Sequence, residues 1–126
     1  MPPPEKRRAV SHDGDIVKID GKPVRMEFMV RDAFWADGRA IVLLDPHAFL
    51  DDIAFGKARR RSRDPVQNLR AYAPSGELLW QAEQPEADDH YYRIESRAPL
   101  VALSFSAYRC DIELASGRIL SKHHLK

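Results

Sequence analysis

One cysteine in 126 residues leaves Cys110 without an intramolecular partner, so no disulfide framework supports this fold and a reducing compartment suits it. Long apolar runs are also lacking. The longest uncharged apolar candidate, residues 40–44, falls far short of the ~18 residues of a bilayer span. No run of about 7–15 apolar residues follows the opening Met-Pro-Pro-Pro-Glu-Lys-Arg-Arg, so no targeting segment is visible. Nor is there an excess of one charge: 20 Lys and Arg face 19 Asp and Glu, a net charge of +1. Any electrostatic function must therefore come from local clusters rather than a global field. The sequence has no Gly-rich phosphate loop, Gly-x-Ser-x-Gly elbow, Cys-x-x-Cys pair or His-Glu-x-x-His helix. These absences predict a soluble, cytoplasmic protein and point to no catalytic residue, cofactor or metal. With 44% apolar and 31% charged residues the chain has the composition of one globular domain.

What is present reads as β structure. In residues 22–30 the apolar Val24, Met26, Phe28 and Val30 alternate with Pro23, Arg25, Glu27 and Met29, the period of a strand with one buried face. Residues 15–19 precede it through Asp20-Gly21, a pair suited to a tight hairpin, and Pro23 keeps that pairing at an edge. Asp37-Gly38 predicts a second turn, and residues 40–44 a strand buried on both faces, ended by Asp45-Pro46. Farther on, Tyr108, Cys110, Ile112 and Leu114 alternate with Arg109, Asp111 and Glu113. Val101, Leu103 and Phe105 alternate likewise, and the break in parity predicts a turn or bulge at Ser106-Ala107.

Residues 69–80, LRAYAPSGELLW, return 41 positions later as residues 110–121, CDIELASGRILS. Periods of about 40–45 residues built of four strands mark propeller blades. The stretch NLRAYAPSGELLWQAE resembles the repeat of pyrroloquinoline-quinone-type β-propellers, with Trp80 at the position of the repeat's Trp and Ser121 departing from it. Two units cannot close a ring, since propellers have at least about four blades, so no quinone site is implied. The expected fold is mainly β: a single domain over residues 1–126, made of two antiparallel four-stranded meander sheets packed as a sandwich or open barrel. One unit would use residues 24–30, 39–44, 68–73 and 77–83. The other would use 91–96, 100–105, 108–114 and 118–122. Residues 1–12 would be a flexible tail.

Residues 45–67 interrupt the first unit as a 23-residue insertion. Asp45-Pro46 suits a helix start, and Phe49, Leu50, Ile53 and Ala54 share one face, predicting a short helix to about residue 58. Five cations in seven residues follow: Lys57, Arg59, Arg60, Arg61 and Arg63. They can track phosphates or an acidic protein, or simply favour a helix C-terminus in solvent. The opposite charge collects at Glu83, Glu86, Asp88 and Asp89, before His90, Tyr91 and Tyr92. Neighbours on a strand splay to opposite faces, which argues against a metal centre there and at His123-His124. His47 and Asp51, four apart on the proposed helix, make a surface pair rather than a site. Cys110 reads as a small core residue, and Trp35, Trp80, Tyr72, Tyr91 and Tyr92 as core and rim aromatics.

These patterns predict a non-catalytic β domain that binds another macromolecule, a protein partner first, through the insertion and the acidic loop. An immunity or antitoxin-like partner of a toxin is one instance. A small hydrolase or ligand-binding protein with a pocket between the sheets is the alternative, and a nucleic-acid binder using the run from Lys57 to Arg63 is a third.

Overall fold

The computed structural model describes residues 9–45, 67–86 and 89–125. Those residues form eleven strands in three antiparallel sheets, none of them closed. A first, short sheet holds β1 (Val10–Asp13), β2 (Ile16–Ile19) and β3 (Lys22–Arg25). Asp20 and Gly21 both take positive φ, 52° and 81°, the geometry that lets a two-residue turn follow the twist of its strands. The central sheet is a meander of β4 (Val30–Ala36), β5 (Arg39–Leu44), β6 (Leu69–Tyr72) and β7 (Leu78–Gln81). The third is a meander of β8 (Tyr91–Arg97), β9 (Leu100–Ser104), β10 (Tyr108–Ile112) and β11 (Ile119–His124).

The central sheet is covered on both faces, and alternation along β5 shows how. Ala40, Val42 and Leu44 join Val17, Ile19, Met26, Val30 and Tyr72 in a core beneath the first sheet. Ile41 and Leu43 join Phe34, Leu69, Ala71, Trp80, Tyr91, Leu100, Cys110 and Ile112 in a core against the third sheet. An unbroken apolar run is what a strand between two cores requires. The expected layout of two sheets is thereby corrected to three layers.

The strand expected over residues 22–30 is also corrected, because it is two strands in different sheets with a crossover at residues 26–29. Its alternation nevertheless had a cause: Val24, Met26, Phe28 and Val30 all pack into the core under the first sheet, since the chain turns from one layer to the next around that core. Residues 30–36, not 24–30, supply the first strand of the central sheet. Residues 10–12, expected in a tail, stand in β1. The expected helix falls within residues 46–66, outside the described residues.

The 41-residue echo corresponds to two hairpins of like build. In β6–β7, Ala71 pairs with Trp80 and Tyr72 with Leu78, which bulges Leu79. In β10–β11, Asp111 pairs with Ser121 and Ile112 with Ile119, which bulges Leu120, 41 positions on. Both bulged leucines are exposed.

Candidate functional site

The strand ends sort the connections into two poles. At one end of the central sheet sit compact turns, Asp37-Gly38 and the one holding Gly76. The other pole gathers the Asp13–Ile16 turn ends, the crossover at 26–29, both roots of the segment 46–66, the loop after β7 and the 105–107 turn. Loops carry binding chemistry when a rigid sheet holds them, so the second pole is the candidate site.

Its scaffold is polar and extensively hydrogen-bonded, although Asp89 Oδ2 is buried without a hydrogen bond. Asn68 is fully buried where the chain re-enters the central sheet. Its Nδ2 donates to Leu44 O at 3.0 Å and Tyr91 O at 2.7 Å, and its Oδ1 accepts from Tyr91 N at 3.1 Å. One side chain thus joins β5 to β8 across two sheets. Arg70, 7% exposed, turns toward the first sheet and donates from both terminal nitrogens to Glu27, Nη1 to Oε1 at 2.8 Å and Nη2 to Oε2 at 3.0 Å. Its Nε donates to Gln67 O at 3.0 Å, fixing the root of the segment 46–66. The guanidinium's hydrogen bonds hold the Glu27 carboxyl below the ordinary carboxylate range.

Of the acidic residues singled out, Glu83, Glu86 and Asp89 are described, and they bond inward rather than standing as one free patch. Glu83 Oε1 accepts from Ile119 N at 3.0 Å, and its carbonyl accepts from Tyr91 Oη at 2.6 Å. Glu86 is exposed and accepts from Tyr108 Oη at 3.4 Å. Asp89 is 3% exposed, and its Oδ1 accepts from His90 N and Ser106 N, capping the 105–107 turn where Ala107 takes φ 67°. Lys122 Nζ donates to Pro85 O at 3.0 Å and lies 5.1 Å from the Tyr108 ring centroid, so the loop after β7 is fastened along β10 and β11. Lys57, Arg59, Arg60, Arg61, Arg63, Asp88, His47 and Asp51 lie outside the described residues.

Solvent-facing groups at this pole are Met29, Phe105 and Leu125, with Phe105 tilted against Tyr92 at 5.1 Å between ring centroids. His123 and His124 do not converge: His124 meets the Tyr108 ring edge-on, and His123 pairs with Arg109 on the opposite face. Cys110 is a buried free thiol, and burial raises both its pKa and that of Tyr91. A buried, protonated thiol is inert. Among the described residues, no group of three or more His, Cys, Asp or Glu is placed to hold a metal ion, and no helix is long and apolar enough to cross a membrane.

Sequence reasoning missed Asn68, Arg70 and Glu27. β6 contained the signal, since Arg70 stands among apolar neighbours in a strand buried at all four positions and a buried guanidinium demands an acid.

Neither the curated proteins nor the solved structures contain a match to this chain. The family model described as a domain of unknown function, DUF7957, matches residues 8–124, nearly the whole chain and all three sheets, and the protein belongs to that family.

Proposed function

We propose that this is a non-catalytic β domain that binds a protein partner in the cytoplasm through its loop-bearing pole. The observation that supports it is the segregation of connections in the central sheet: the insertion and the acidic loop leave it at one end, while the compact turns at Asp37-Gly38 and Gly76 lie at the other. Exposed Met29 and Phe105 at that end supply apolar contact area beside charged groups, the mixture found at protein interfaces. In the sequence Lys57, Arg59, Arg60, Arg61 and Arg63 fall between Leu44 and Asn68, whose backbones are hydrogen-bonded to each other at this pole. An immunity or antitoxin-like role is one form such binding takes.

The test is affinity capture of the full-length protein from its native host, beside a variant carrying Arg59→Ala, Arg60→Ala and Arg61→Ala and another carrying Phe105→Asp. A stoichiometric protein recovered by wild type and lost with the pole variants is the expected result. Capture unaffected by either variant, or no partner at all, contradicts the reading. A salt series with RNA and DNA separates the nucleic-acid alternative, which requires binding that weakens steeply with salt and with loss of the three arginines.

A further inference from the structure

We infer that the first sheet is a hinged cover over the central sheet, latched by the Glu27–Arg70 pair, and that it opens as a unit while the other two sheets stay folded. Its three strands have four residues each and form their ladders only with one another. Val17 and Ile19 are the cover's fully buried side chains, and most of the rest of it faces solvent. So small a packed area marks a segment of low local stability.

The attachments fall on two sides. Along one side β1 and β2 lie against β4, where the chain passes covalently from the crossover into Val30. This is the hinge. Along the other side, β3 and the start of the crossover, bonded to the first sheet through Met26 N to Asp15 O and so moving with it, meet β6 and its turn: Lys22 Nζ donates to Ser75 O at 3.5 Å, Tyr72 Oη to Met26 Sδ at 3.2 Å, and Arg70 to both carboxylate oxygens of Glu27. The last is the strongest of these by chemistry, being bidentate and charged on both sides.

The latch follows from the differing environments of its two partners. Arg70 is 7% exposed, whereas the Glu27 side chain is 56% exposed. With the cover closed, the guanidinium is cut off from water and needs the carboxylate to compensate its charge. With the cover lifted, water hydrates it. Removing the charge of Glu27 therefore penalises the closed state and leaves the open state almost untouched, which moves the balance toward opening. Opening uncovers Val30, Ala40, Val42, Leu44 and Tyr72, a contiguous apolar face of the central sheet.

Native-state hydrogen exchange on the full chain at neutral pH reads this directly. In the wild type the amides of β2 and β3 are expected to exchange faster than those of β5 and β9. Glu27→Gln should accelerate β2 and β3 on the order of tenfold or more and leave β9 and β10 unchanged. Glu27→Gln combined with Arg70→Met, which removes the buried cation as well, should return β2 and β3 toward wild-type rates. Equal acceleration of all three sheets by Glu27→Gln, no acceleration of β2 and β3, or a wild-type cover that exchanges in step with β9 would each overturn the inference. None of these outcomes depends on a binding partner, so the proposed function stands or falls separately.

Discussion

Asn68 uses its side-chain amide as a strand uses its backbone, donating to one carbonyl of β8 and accepting from the N–H of the same residue while also donating to Leu44 O. Asn68→Ala would leave these buried backbone groups without partners, at about 1–3 kcal/mol for such a group, so a total loss of about 2–4 kcal/mol is expected in urea denaturation. Asn68→Asp should rescue little, because a carboxylate has no donor for the two carbonyls. Glu27 gives a pH dependence. Its folded pKa is lowered, chiefly by the hydrogen bonds from Arg70, so its contribution to stability is present above the unfolded pKa of about 4.3 and is lost as pH falls through the lower folded value. Denaturation midpoints of the wild type should therefore fall toward those of Glu27→Gln as pH is lowered from about 5, one unit above the unfolded value, through the lowered folded value. The acidic loop was visible in the sequence as charge density. Its inward bonding was not, because the directions of Glu83 and Asp89 are set by Ile119 and by the 105–107 turn, remote in sequence.

At the scale of elements, the two echoing hairpins show how a turn can be fixed by its neighbour in space. Gly117 takes φ 77°, and a Cβ there would stand 2.5 Å from Trp80 Cε3, while Trp80 Nε1 donates to Leu114 O at 2.8 Å. The β10–β11 hairpin is therefore locked against β7. Gly117→Ala should cost at least about 2 kcal/mol, through left-handed strain plus displacement of the indole. Gly38→Ala, with φ 80° and open space around its Cβ, should cost about 1–2 kcal/mol from strain alone. Thermal melts of the two variants check the difference. The third sheet was legible nearly strand for strand because its alternation, its turns and its hydrogen-bonded ladders are all local in sequence. β3 and β4 were merged because one apolar period runs through the crossover that separates them.

At the scale of the molecule, a central sheet between two cores predicts that both faces of β5 are equally intolerant. Leu43→Ala opens the core against the third sheet and Leu44→Ala the core beneath the first. Each should cost about 2–5 kcal/mol in chemical denaturation, the range for a buried leucine that leaves a cavity. A two-layer sandwich would tolerate one of the two far better. The sequence by itself determined that the chain is β, where most hairpins turn, and that residues 40–44 lie between two apolar surroundings, because period-2 patterning and turn chemistry act over a few residues. Only the tertiary structure decided that there are three layers, that Arg70 meets Glu27 across 43 residues, and that Asn68 joins β5 to β8. Those outcomes depend on which surfaces meet, and an alternating strand carries the same pattern whichever sheet it packs against.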